Sequence, residues 1–204
     1  VINGGLIKTT GAQTINKAIT LGADTNLRGV NVALMSTVDG AHALTIYDSG
    51  TTVLEAARAA VKRSIPLTAV TNDLAIAQVL GQSSLIQVHV LGGVLRPGSP
   101  TVIGQPLIEQ AASLRAELLF MGTHAVTQSV MSETSADVAA VKRALMRAAN
   151  HRCLLVDASK FRPRAFMQVG LLQDIEDVIT DRGLPAAEEE HLRQLPLRLT
   201  VVNP

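Results

Sequence analysis

From about residue 43 onward, short apolar runs alternate with amphipathic stretches, and this alternation restricts the possible folds more than any other feature of the chain. Ala43 to Tyr47 reads as a strand, and Thr51 to Arg63 as a helix with apolar positions at helical spacing. Further strands are expected at Leu67 to Thr71, Ile86 to Leu91, Glu117 to Met121, Arg152 to Val156, Val178 to Thr180 and Leu197 to Val202. Helices are expected at Asp73 to Leu80, Gln105 to Arg115, Asp137 to Ala149 and Ala186 to Gln194. Strands that alternate with helices need right-handed crossovers. The expected fold is therefore α/β, a mostly parallel sheet with helices on both faces.

The first residues break this rhythm. Residues 6 to 27 intersperse Thr, Gly, Asn and Lys with few apolar anchors and read as a connector arm leading into a helix near Arg28 to Ser36. The expected organisation is an arm over 1–27 and one domain over 28–204. At 204 residues the chain buries roughly 70% of its unfolded surface and needs no staples. Its lone cysteine, Cys153, excludes an internal disulfide and suits a reducing compartment. The opening lacks a signal-peptide pattern, and no stretch approaches the ~20 apolar residues of a membrane span. These features point to a soluble, cytoplasmic protein with no membrane partner.

The 18 Lys plus Arg nearly balance the 17 Asp plus Glu, so the clustered basic surplus of a DNA-gripping domain is missing. With no Trp, one Tyr and three Phe, base stacking is poorly served too. Recognition by polar side chains and backbone amides is the mode this composition favours.

In open α/β sheets ligands bind beyond the carboxyl ends of the strands, and those ends here are polar and rich in glycine. Asp48-Ser49-Gly50-Thr51-Thr52 joins a strand to a helix; Gly50 permits close approach, and the hydroxyls with the helix amides suit a phosphate. Simple helix capping by Ser49 or Thr51 is the competing explanation. Thr71-Asn72-Asp73 sits at the next such junction, where capping is again the plainer role. Gly92 and Gly93 allow a tight turn, and Arg96 can reach an anion. Gly122-Thr123-His124 and Asp157-Ala158-Ser159-Lys160 complete the set, with Lys142 on a helix early enough to point at the same place. Together these describe a pocket for a small polyhydroxylated phosphate ester. The five histidines lack metal-ligand spacing, and no metal, cofactor or catalytic residue is assigned.

The stretches Asp48 to Thr52, Leu67 to Asp73, Leu91 to Arg96, Val141 to Met146, Asp157 to Phe161 and Val178 to Asp181 occur in the order and spacing of DeoR-type transcriptional repressors. The chain resembles their effector-sensing domain across residues 43 to 183. The resemblance implies a ribose-5-phosphate isomerase-like fold and a phosphorylated sugar or related metabolite as effector. It also implies a homodimer or homotetramer, and operator DNA bound only through a winged helix-turn-helix that would precede residue 1. It assigns Ser49, Gly50, Thr51 and Thr52 to phosphate, Lys160 to counter-charge, and Asp48, Asn72 and Asp73 to hydroxyls or loop support. Two departures stand out. Where the family has Asp or Asn after Gly and a small residue, this chain has His124. Ahead of Val141, where the family often carries glutamates, it has Val138-Ala139-Ala140, with Glu133 and Asp137 nearby. An aldose–ketose phosphate isomerase is the alternative function, since the resembled fold hosts one, although Thr123-His124-Ala125 offers no carboxylate. A purely oligomerising domain is the third.

Overall fold

A computed structural model describes residues 5–8, 13–15, 19–20, 25–29, 32–34, 38–39, 44–48, 52–62 and 66–202, with side chains at 57–62 and 66–202. The chain divides into two compact units, Val1–Thr52 and Val53–Pro204.

The first unit contains β1 (Gly5–Lys8), β2 (Gln13–Ile15), β3 (Ile19–Thr20), β4 (Thr25–Gly29), β5 (Val32–Leu34), β6 (Val38–Asp39) and β7 (Leu44–Asp48). The pairings among its described residues are parallel. Gly5 faces Thr25, which faces Leu44; Gln13 faces Val32, and Ile19 faces Val38. The helix expected near Arg28 to Ser36 is therefore not formed: Thr25–Gly29 and Val32–Leu34 are strands. Gly29-Val30-Asn31-Val32 explains the difference, because Gly, Asn and β-branched residues are weak helix formers and valines favour the extended chain.

The second unit follows the expected alternation. Its first elements are α1 (Thr52–Lys62), β8 (Leu67–Thr71), α2 (Leu74–Leu80), β9 (Ile86–Val90), β10 (Val94–Leu95), β11 (Val102–Ile103), α3 (Gln105–Ala112) and β12 (Ala116–Met121). Then come β13 (Ala125–Thr127), β14 (Val130–Glu133), α4 (Ala136–Ala148), β15 (Ala149–Leu155), a 3-10 turn (Ala158–Lys160), β16 (Met167–Leu171), β17 (Asp177–Asp181), α5 (Ala186–Arg193) and β18 (Arg198–Val202).

Strands β12, β15, β17 and β18 lie in that order in an all-parallel sheet. Register puts Met121, Leu154, Val178 and Leu199 in one cross-strand row. That row packs with Ala139 and Met146 of α4 and Leu192 of α5 in the main core, where Leu154, Val178 and Leu192 have no exposed surface. At roughly 1.5–3 kcal/mol per fully buried side chain, this helix-on-sheet layer is the main stabilising element. The opposite face carries the row Phe120, Cys153, Asp177 and Arg198.

A second, antiparallel sheet, β13-β14-β16, folds back beside α4. It was not expected from the sequence, and it brings the end of β14 to the end of β12. Strands β8 and β9 pair in parallel and pack on α1 and α2 through Ala57, Leu80 and Ile86. Among the described residues no helix is long and apolar enough to cross a membrane.

Candidate functional site

Strand β12 ends at Met121, and the three residues that carry the chain into β13 are each held from elsewhere in the fold. Lys142 of α4 donates from Nζ to the Gly122 carbonyl at 2.7 Å and to Glu133 at the end of β14. The buried Thr123 hydroxyl donates to the Ser132 carbonyl at 3.1 Å. The His124 amide donates to Glu133 Oε1 at 3.0 Å. Glu133, 7% exposed, is thus a buried carboxylate held by one ammonium and one amide, which is how a buried charge is tolerated. Lys142 lies midway along α4, and that helix is started by Ser135, whose hydroxyl accepts from the Val138 amide.

A loop from the end of β15 closes the other side. Asp157 accepts from the Ser159 amide at 2.9 Å, and Asp181 of β17 accepts from the Ala158 amide at 3.0 Å. These bonds set the 3-10 turn and leave Lys160 buried and Ser159 exposed. Beyond the turn, Arg162 Nε donates to the His124 carbonyl at 3.0 Å and Nη2 donates to His124 Nε2 at 2.9 Å. The Arg162 amide donates to the Val126 carbonyl, and the Ala165 amide to Ser132 Oγ, which ties this loop to the β13–β14 hairpin.

The electrostatics follow from this arrangement. A guanidinium only donates, so His124 Nε2 is an acceptor and the ring is neutral with its proton on Nδ1. Burial lowers the His124 pKa first, and Arg162, Lys160 and Lys142 lower it further against the opposing pull of Glu133. Three cations therefore act on one imidazole, with a single carboxylate among them. Among the described residues no group of His, Cys, Asp and Glu could hold a metal ion.

The remaining expected residues divide clearly. Asp48 closes β7 and Thr52 opens α1, so that stretch does join a strand to a helix. Ser49, Gly50 and Thr51, and the side chains of Asp48 and Thr52, lie outside the described residues. Asp73 caps α2: Oδ1 accepts from the Ala75 and Ile76 amides at 2.9 and 3.1 Å, and Oδ2 from the Thr101 hydroxyl at 3.3 Å. Thr71 Oγ1 accepts from the Asp73 amide, and the Asn72 side-chain amide donates to the Val102 carbonyl. Capping and loop support are thus the observed roles of this trio. Gly92 exchanges hydrogen bonds with Gln110 of α3. Gly93 must be glycine because a Cβ there would collide with the Ile103 carbonyl oxygen. The Arg96 backbone pairs with Thr101 across the β10–β11 hairpin. Among the described residues no hydrogen bond joins positions 71–73, 92, 93 or 96 to the cluster around His124.

Residues 33–182 match the model of the DeoR C terminal sensor domain. The chain belongs to that family. Relatives of this DeoR sensor domain include the HTH-type transcriptional regulator GlpR of Haloferax volcanii, 31% identical over 72% of this chain and 57% of its own length. The HTH-type transcriptional repressor GlcR of Bacillus subtilis is 28% identical over 67% of this chain and 52% of its own. YgbI of Escherichia coli K12, described as an uncharacterized HTH-type transcriptional regulator, is 30% identical over 76% and 61%. The chain spans less than two thirds of the length of the curated relatives it matches.

In this DeoR sensor domain the structure adds three residues that sequence reasoning left out of the site. Glu133 was noted only as a neighbouring acid, whereas Arg162 and Asp181 were not singled out. Arg162 follows the recognised Asp157 to Phe161 stretch, and Asp181 ends the recognised Val178 to Asp181 stretch, so both lay within reach of a motif-based reading.

Proposed function

We propose that this sensor domain binds a phosphorylated sugar or a related phosphorylated metabolite, and that binding governs DNA binding by a helix-turn-helix domain of the intact regulator. The observation that carries the reading is the set of cations at the carboxyl ends of β12 and β15: Arg162 donates to His124, Lys142 to the Gly122 carbonyl and Glu133, and Lys160 lies buried in the turn after β15. Strand ends of this kind are where parallel sheets bind ligands. In this reading Ser49 to Thr52 hold the phosphate, Lys160 supplies counter-charge, and residues 1–27 connect to the DNA-binding part. The regulator works as a cytoplasmic homodimer or homotetramer. The effector acts by preferring one arrangement of the assembly, with a coupling of about 1–3 kcal/mol.

The test is thermal unfolding against sugar phosphates, with free sugars and inorganic phosphate as controls. A ligand at about a hundredfold over its Kd adds about 2.7 kcal/mol, which for a domain of this size raises the midpoint by about 5–10 °C. A shift of that order with phosphorylated sugars alone is expected. No shift with any of them overturns the reading.

One observation favours a second reading. Glu133 supplies the carboxylate that Thr123-His124-Ala125 lacks, held beside His124 by its amide, and aldose–ketose isomerisation needs a carboxylate within reach of the substrate's proton. Lys142 and the His124 amide already occupy that carboxylate. Interconversion of aldose and ketose phosphates, abolished by Glu133→Gln, would replace the sensor reading with an enzymatic one.

A further inference from the structure

The charge around His124 is distributed unevenly. Lys142 is paired with Glu133. Arg162, by contrast, donates to the carbonyl and the ring nitrogen of His124, both neutral acceptors, and among the described residues it faces no carboxylate. A guanidinium has five N–H donors in a planar fork. His124 occupies Nε–H and one Nη2–H, so three donors on the exposed side of the fork stay available. The same contact makes Nε2 of the imidazole an acceptor and leaves Nδ1–H as a further donor. Burial and the surrounding cations oppose protonation of the ring, so it remains a fixed neutral donor.

An exposed guanidinium that faces only neutral acceptors among the described residues is matched by an anion rather than by a hydroxyl. Arg forks bind carboxylate and phosphate oxygens bidentately, and such charge-assisted bonds are about twice as strong as neutral ones. We propose that Arg162 reads a second anionic group on the effector, so that the preferred ligand is doubly anionic, carrying a carboxylate or a second phosphate besides its first phosphate. The proposal rests on the effector-site reading above and narrows its ligand class. Arg162 sets the specificity by direct contact; His124 holds the Arg162 fork in place through its carbonyl and Nε2.

Calorimetric titration of the 204-residue chain tests this with three probes. Glucose 6-phosphate carries one anionic group, 6-phosphogluconate adds a carboxylate, and fructose 1,6-bisphosphate adds a second phosphate. At least one doubly anionic probe should bind about tenfold or more tightly than glucose 6-phosphate, and the tighter of the two identifies the second group. Arg162→Gln should abolish that preference, so that the three probes bind the variant with affinities within about twofold of one another. Arg162→Lys, which keeps the charge without the fork, should retain part of it. Equal affinity for all three probes, or a preference that survives Arg162→Gln, overturns the proposal while leaving the phosphate site standing. Absence of binding by every probe overturns both. Arg162 is exposed, and an unchanged unfolding midpoint of each variant without ligand verifies that the fold is intact.

Discussion

The ion pair between Glu133 and Lys142 makes an asymmetric prediction for stability. Both side chains are largely withdrawn from water, at 10% and 22% exposure. Lys142→Met removes the only charged donor that Glu133 has among the described residues and leaves its carboxylate with the His124 amide. Orphaning one member of a buried pair costs about 3–5 kcal/mol, and partial exposure places this case near the lower end, about 3 kcal/mol. Glu133→Gln alone is milder, about 1 kcal/mol, because the amide oxygen still accepts from His124 and Lys142 keeps the Gly122 carbonyl at 2.7 Å. The double variant holds no charge at this place, so Glu133→Gln should restore roughly 2 kcal/mol in the Lys142→Met background. Urea unfolding at pH 7, followed by far-UV circular dichroism, measures all four proteins. The Lys142→Met midpoint in a thermal scan should fall by about 6–12 °C. Additive single effects, or a Lys142→Met cost below about 1 kcal/mol, would refute the account of Glu133 as a buried, ion-paired carboxylate.

Asp73→Ala should cost about 1–2 kcal/mol in urea unfolding, since it removes a cap that accepts two amide hydrogen bonds at the start of α2; a neutral outcome would mean the cap adds nothing. Thr180→Val should stabilise the protein by about 1 kcal/mol, because the Thr180 hydroxyl is buried with no hydrogen-bond partner; a loss of stability would show that the hydroxyl is satisfied in solution. Arg198 and then His151 hold the Asp177 carboxyl below the usual aspartate range, against the effect of its burial. Its contribution is therefore present above the unfolded value near ~3.9 and is lost as pH falls through the depressed folded value. Urea midpoints from pH 6 to pH 3 should accordingly fall less steeply for Asp177→Asn than for the parent, and parallel curves would refute the assignment.

Much of the second unit was readable residue by residue. The expected helix over Asp137 to Ala149 is α4 at Ala136–Ala148, and the expected strand over Ile86 to Leu91 is β9 at Ile86–Val90. Both carry strong periodic patterns or clean apolar runs, which act locally. The β13–β14 hairpin was not readable, and its turn shows why. Gln128 and Ser129 adopt positive φ values of 48° and 66°, the conformation of a primed hairpin turn, without the Asn or Gly that normally signals one. Missing that hairpin meant missing how Glu133 reaches His124. The two-residue strands β10 and β11 were likewise invisible, being too short to show a period. At Asp73 the plain capping role that the sequence already offered is the role observed.

What the chain's own residues determined is local: the alternation of strands and helices after residue 43, the caps, the ordered motifs that place it in the DeoR sensor family, and the polar character of the strand ends. His124 and Lys160 could be singled out because each stands just beyond such an end, and Lys142 because it lies on a helix that follows one. The tertiary structure alone decided their partners. Lys142 meets Gly122 across 20 residues of chain, and Arg162 meets His124 across 38. Those encounters depend on sheet register, on the packing of α4, and on an antiparallel hairpin returning the chain to the end of β12. None of these leaves a periodic trace in the sequence, because a side chain's distant neighbour is set by the summed packing of whole elements rather than by the residues beside it.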